Sequence, residues 1–401
     1  MRAKYLDIAY ASRFTFGFVD VIIPAMRDRY RDWLRLVLIP GISSQKLVRL
    51  LAKFRSPDRI LAASESQLID ALGEPKIAYR IVAYRDSVDV ETELAQIERF
   101  GVSLISLEDD LYPTRLAATY GPPVLLYVRG TFLPRDADSV SIVGMRRASH
   151  YGRMTAERLA EELAAQGITV VSGMAAGIDS AAHRGALNVG GRTIAVLGCG
   201  VDVVYPQANR ELAEKIVNSG CLISEFPMGT KPLKGNFPQR NRIISGMTLG
   251  TVVVEGTRAS GSLITARRAM EQGRDVFAVP SRALSDGSQG PHALIRDGAK
   301  LTETARDILE EIEVHLAYQQ TEEVNQTDKP DKTTRETEPA STVQPDTTEK
   351  KILAVLPRDP LSIDELAGRS NMSQAALLSA LTMLEIKGLV RQLPGKLFVR
   401  L

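Results

Sequence analysis

The stretch SVSIVGMRRASHYGRMTAERLAEELAAQGITVVSG, residues 139–173, decides how the chain folds. It opens on a short Val/Ile run ending in glycine, passes through an amphipathic segment, and closes on a second such run. A strand without polar alternation is buried on both faces. A crossover of this length between two such strands is helical, so the pair reads as a β-α-β unit with parallel strands. Working outward, TIAVLG (193–198), CLISEF (221–226), GTVVVEG (250–256) and DVFAVP (275–280) repeat the run, with helical segments such as NRELAEKIVNSG (209–220) between them. The alternation predicts an α/β domain over residues 96–316, an extended Rossmann-like, doubly wound parallel sheet with helices on both faces.

Smaller parts flank it. Residues 28–95 read as short helices, with an Ile-Pro-Gly-Ile turn at 39–42 between apolar helical patterns, a small SAM-like or helix-hairpin-helix-like domain. Such a unit either binds DNA backbone through amides at a helix start or serves as an interaction module. Residues 1–27 lack the continuous apolar core and cleavage site of a signal peptide. They read as a disordered N-terminal extension, or as a mis-called start upstream of a true initiator at Met26. Residues 317–348 are polar, rich in Thr, Glu, Asp and Pro, and are expected to form a disordered linker, because they bury too little surface to offset ordering entropy. Residues 349–401 carry helical patterns capped by Ser362 and Ser373, then LVRQL and KLFVR around Pro394-Gly395, the order of a winged helix. Its expected recognition helix holds one basic residue, Lys387, so partner contact or self-association stands beside DNA reading.

Composition narrows the classes. With 44% hydrophobic and 24% charged residues in 401, the chain has ample material for a core, and its formal charge of +2 names no partner. Cys199 and Cys221 form no CxxC pair and suit buried thiols in a reducing cytoplasm. The four histidines, His150, His183, His292 and His315, make no metal-ligand pattern, so neither a metal nor a cofactor is expected. No apolar run reaches the ~20 residues of a membrane helix.

Ligands of open α/β sheets bind beyond the carboxyl ends of the strands, where this chain is rich in glycine and basic residues. Gly173 and Gly177 precede one helix and Gly256 and Gly261 another, allowing backbone amides to approach an anion. No GxGxxG follows the first strand and no GxxxxGK[ST] exists, which removes the main support for NAD binding or P-loop hydrolysis. Between Lys231 and Arg242 lie Lys231, Lys234, Arg240 and Arg242 with no acid, and Phe237 in their midst. Cations pair with phosphates, and a ring among them can stack on an unpaired base; that combination favours single strands over duplex. Phe237 also has a plainer reading as a core aromatic. Of Arg240 and Arg242, one is expected to face the ligand and the other to pair internally with Glu225 or Glu255.

Taken together, SIVGMRRASHYG (141–152), SGMAAGIDSAAHRGAL (172–187), AVLGCGVDVVYPQAN (195–209), ISEFPMGTKPLKGNFPQRNRIISG (223–246), VVVEGTRASGSLITARRAMEQGRDVFAVP (252–280) and GPHALIRDGAKL (290–301) resemble the DprA/Smf family of DNA-processing proteins. The resemblance spans nearly the whole chain. It implies a non-enzymatic, cytoplasmic single-stranded DNA binder that protects incoming strands in natural transformation and loads the RecA recombinase. On the same resemblance, Arg146 matches a phosphate-contacting arginine, Lys234 a basic contact and Phe237 a base-stacking aromatic. Arg240, Asn241 and Arg242 match the family's RNR run, and Ser172 and Gly173 match backbone contacts. A homodimer through the Rossmann-like domain is implied, with Leu294, Ile295 and Leu301 as interface candidates. Met145, Gln207 and His292 depart from the family pattern, where Ser or Thr, a basic residue and Asn are usual.

Two rival readings remain open. An enzyme acting on nucleotides would have Glu225, Glu255, Asp179 and His183 as its acid–base groups, although the PGGxGTxxE signature of related hydrolases is absent. An interaction scaffold would use the terminal modules to recruit partners, separably from DNA binding.

Overall fold

The computed structural model describes residues 19–312 and parts of 351–400. The chain divides into two compact units, Met1–Asn325 and Gln326–Leu401. The expected linker at 317–348 lies outside the described residues, as do the first 18 residues of the expected extension.

Six helices open the first unit: α1 (Val19–Leu38), α2 (Ser44–Phe54), α3 (Pro57–Ala62), α4 (Glu65–Leu72), α5 (Pro75–Tyr84) and α6 (Val90–Arg99). Helix α1 starts at Val19, inside the segment expected to lack structure. Prolines at the first position of α3 and α5, where the missing N–H costs nothing, and a Ser64–Gln67 capping box on α4 set their starts.

There follow β1 (Val102–Ser106), α7 (Thr114–Ala117), β2 (Leu125–Gly130), β3 (Ser139–Val143), α8 (His150–Ala165), β4 (Thr169–Ser172), α9 (Ile178–Asn188), β5 (Thr193–Val196), α10 (Arg210–Ser219), β6 (Cys221–Ser224), α11 (Asn236–Gly246), β7 (Gly250–Val253), α12 (Gly261–Glu271), β8 (Asp275–Ala278), α13 (Gln289–Arg296) and β9 (Lys300–Leu301). They build one nine-stranded sheet in the order β1-β2-β6-β5-β4-β3-β7-β8-β9. Strands β6 to β9 along that order are parallel, whereas β1 and β2 are antiparallel additions at the β6 edge.

Because alternate residues of a strand face opposite ways, each strand feeds two cores. Ile194, Val196 and Ile223 pack under α11 and α12 on one face. On the other face, Val140, Ile142 and Val170 meet α8 and α9, while Ala195, Leu197 and Leu222 join a core with Trp33, Leu47, Leu50 and Leu94 of the helical segment. The N-terminal helices thus share a core with the sheet.

The second unit contains β10 (Leu361–Ser362), α14 (Ile363–Ser370), β11 (Val390–Leu393) and β12 (Leu397–Arg400), with strand order β10-β12-β11 around a core of Ile352, Leu366, Leu381 and Phe398. Much of the expected recognition helix falls outside the described residues.

Candidate nucleic-acid interface

Parallel strands deliver their loops to one edge. There the Phe237 ring, in the first turn of α11, lies between the Arg146 guanidinium, 5.4 Å from its centroid, and the Tyr205 ring, 5.7 Å away and tilted by 39°. Arg146 comes from the loop after β3, Tyr205 from the loop after β5, and Phe237 from the connection after β6, so three distant segments meet. Glycines permit this approach. A Cβ on Gly198 would stand 2.9 Å from Phe237 Cδ1. Gly177 has φ +85°, and a Cβ there would strike the carbonyl oxygens of Met145 and Arg146. Phe237 is half-buried, Tyr205 is 42% exposed, and Arg146, Lys231 and Lys234 are exposed. No ion pair engages those three cations among the described residues. The edge therefore offers aromatic faces beside unneutralised positive charge.

Directly beneath lies Arg240, only 4% exposed. Its Nη1 donates to the carbonyl oxygens of Gly173 (2.7 Å) and Val196, joining the ends of β4 and β5. Burial lowers its pKa to about 10, while Asp179 favours its charge. Burial also raises the pKa of Asp179, which accepts from the Ala175 amide at 3.3 Å. His183, on the same helix as Asp179, is buried and neutral, its pKa pushed down to about 3 by burial. Thr193 donates its hydroxyl to Val170 O (2.7 Å), so the 2.6 Å contact from His183 Nδ1 is a donated N–H and Nε2 carries the lone pair.

The expectation that Arg240 or Arg242 faces the ligand needs correction, because both are committed internally. Arg242 donates to Gly121 O at 2.7 Å and pairs with Glu225, whose pKa burial raises. The strand-end carbonyls and the buried Glu225 need donors there, and a guanidinium supplies several from one side chain. Asn241 Nδ2 reaches Gly261 O at 3.3 Å, toward the start of α12 rather than toward Phe237. Ser172 turns inward and donates to Ile142 O at 2.6 Å, leaving its backbone and Gly173 at the strand end. Tyr205 was not anticipated; its only signal was an aromatic beside proline in a strand-end loop.

Strand order reverses between β3 and β7, the crevice where a doubly wound sheet would take a dinucleotide. Glu255 fills it. Its carboxylate accepts from Ser149 N (2.8 Å) and Ser149 Oγ (2.5 Å) at the start of α8, and its carbonyl accepts from Met145 N (2.8 Å). A protein carboxylate thus occupies the anion position that a pyrophosphate would need.

Leu294 also needs correction as an interface candidate: it is 4% exposed and belongs to the core under the sheet, because α13 must bury one face against β8. Ile295 is partly buried, and Leu301, on edge strand β9, is 46% exposed. Of the three departures, Met145 packs against the α8–α9 core, His292 Nε2 accepts from Ser281 N at 3.3 Å, and Gln207 is exposed. No helix among the described residues is long and apolar enough to cross a membrane.

Fold and site together define a Rossmann-like α/β protein whose strand-end surface is basic and aromatic and whose crevice at the strand-order reversal carries a protein carboxylate. Residues 103–313 match the family model for DNA recombination-mediator protein A, and residues 336–396 match that for the DprA winged helix domain. The chain belongs to the DNA recombination-mediator protein A family, a family of DNA-processing proteins. It is 35% identical over 370 residues to Protein Smf of Escherichia coli, covering 92% of this chain and 95% of that one. It is 39% identical over 273 residues to DNA processing protein DprA of Streptococcus pneumoniae, covering 68% of this chain and 95% of that one. The X-ray structure of DNA processing protein A (DprA) from Streptococcus pneumoniae aligns with a TM-score of 0.62 at 38% identity, over 69% of this chain and 95% of that one.

Proposed function

We propose that the chain binds single-stranded DNA at the strand-end edge, without chemistry on it, protects the strand and loads the RecA recombinase during natural transformation. One observation carries the binding: Phe237, flanked by Tyr205 and Arg146, stands open beside the exposed Lys231 and Lys234. A half-exposed ring can take an unpaired base, and the cations neutralise the phosphates on either side. Arg146, Lys234 and Phe237 contact the strand; the backbone at Ser172 and Gly173 borders it. Arg240, Asn241 and Arg242 hold the floor. Family membership supports the protective and RecA-loading roles, a cytoplasmic setting, and a homodimer through the sheet domain at Ile295 and Leu301.

The non-enzymatic reading is supported by how the candidate acids are used. Glu255 caps α8, Glu225 is paired with Arg242, and Asp179 and His183 are buried below the surface. Competition between single- and double-stranded oligonucleotides across a salt series tests the binding, with preference for single strands expected; equal affinity for duplex defeats it. Turnover of an oligonucleotide or nucleotide by the purified chain would defeat the non-enzymatic part. Faster RecA filament growth on protein-coated single strands tests loading, and an unchanged rate rejects it.

A further inference from the structure

We propose that the groove between the N-terminal helices and the sheet is a second single-strand subsite, taking the nucleotides next to the one stacked on Phe237. This rests on the single-strand reading above. Phe237, Pro238 and Gln239 are consecutive in the first turn of α11. The ring of Phe237 turns to Arg146 and Tyr205, while Pro238 and Gln239 line a groove of about 590 Å³ whose opposite wall is the start of α2, Ser43 to Gln45. That volume lies within the range of small-ligand pockets. The groove therefore begins where the stacking site ends.

Its walls suit bases more than phosphates. Ser43, Gln45 and Gln239 offer hydroxyl and amide groups, donors and acceptors together, as base edges require, and Arg268 in the same lining is paired with Glu271. The charge pair within it, Arg242 with Glu225, also takes the Ser44 hydroxyl, which donates to Glu225 Oε2 at 3.2 Å. Glu225 is more than nine-tenths buried, and its Oε1 has no hydrogen-bond partner within the described chain. At the far end Arg80 lies against Gly41 and donates to Pro40 O at 3.2 Å. Beyond it α5 presents Lys76 and Tyr79, the latter 64% exposed. A cation beside an open ring thus stands at each end, as in tracks that stack successive bases of a single strand.

Thiol labelling of the full chain tests this. Cys199 and Cys221 are buried, and burial raises both thiols, Cys199 to about 11, so a cysteine introduced on the surface reacts selectively with maleimide. Gln45→Cys reports on the groove, and Gln166→Cys, at the opposite end of the strands, is the control. Mixed-sequence oligonucleotides of roughly 4 to 20 nucleotides are added at saturation, with binding followed in parallel by fluorescence anisotropy. The expected result is that longer oligonucleotides slow labelling of Gln45→Cys about tenfold while the shortest bound one does not, and Gln166→Cys is labelled at one rate throughout. Unslowed labelling of Gln45→Cys under the longest oligonucleotide overturns the proposal, as does equal protection by the shortest. If no oligonucleotide binds at any length, the single-strand reading itself fails, and the groove proposal falls with it. Tyr79→Ala should weaken binding of long oligonucleotides and leave short ones unchanged; an unchanged ratio of the two affinities overturns the extension to α5.

Discussion

Phe237 and Arg240 stand three residues apart on one helix and take opposite parts, one half-exposed at the strand-end edge and one buried beneath it. Phe237→Ala should weaken single-strand binding by roughly 5- to 150-fold, from the ~1–3 kcal/mol of a stacked base, and leave the salt slope unchanged because stacking releases no ions. Arg146→Ala should weaken binding and also flatten the slope of log affinity against log salt by about 0.7, one phosphate contact on a single strand. Anisotropy titrations over a salt series separate the two; matching slopes for both variants would refute the division of labour. Arg240→Ala should appear first in thermal melting. It leaves two strand-end carbonyls without their donor and Asp179 without its compensating charge, a loss of roughly 3–5 kcal/mol. A variant with unchanged melting and weakened binding would return Arg240 to direct contact. For His183 the sign follows from a folded pKa of about 3 against an ordinary 6.5. The unfolded chain binds a proton that the native state refuses, so stability is full above pH 6.5 and falls as pH drops toward 3. Between pH 7 and pH 5 the cost is about 2 kcal/mol, and His183→Gln should remove most of that dependence in denaturant titrations at the two pH values.

Helix α11 is the element that places Phe237 at the strand-end edge and Arg240 beneath it. Its inward face carries Arg240, Ile243 and Ile244, all buried, so the position of Phe237 one turn earlier is set by core packing. Gly198 underlies the ring, and Gly198→Ala should displace it, lowering single-strand affinity toward that of Phe237→Ala with little change in melting temperature. Wild-type affinity in that variant would show that the ring need not sit there. Parallel strands β3 to β7 were readable because each is a short apolar run beside a glycine, whereas β9, only Lys300-Leu301, was not. Strands β1 and β2 were not, since VSLIS (102–106) and LLYVRG (125–130) join the β6 edge as an antiparallel pair outside the β-α repeat. The site was legible as a basic, acid-free stretch around Phe237. Which of its arginines point inward was not, because that depends on where the carbonyls of β4 and β5 end.

At the scale of the molecule, the helical segment and the sheet behave as one body, since Trp33, Leu50 and Leu94 share a core with Ala195, Leu197 and Leu222. The unit from Gln326 onward has its own core. A chain ending near residue 325 should keep both the melting temperature of the first unit and its single-strand affinity. A large loss of affinity would make the C-terminal unit part of the strand-binding surface.

The α/β class, the basic and glycine-rich strand ends, and the absence of dinucleotide and P-loop fingerprints were all written in the sequence, because apolar periodicity and glycine placement are local properties of the chain. Tertiary packing alone brought Phe237, Tyr205 and Arg146 together at the strand-end edge, turned Arg240 and Arg242 inward, and set Glu255 against the start of α8. The physical reason is that burial belongs to no residue alone: a guanidinium becomes a ligand contact or a structural donor according to which carbonyls and carboxylates the fold brings against it.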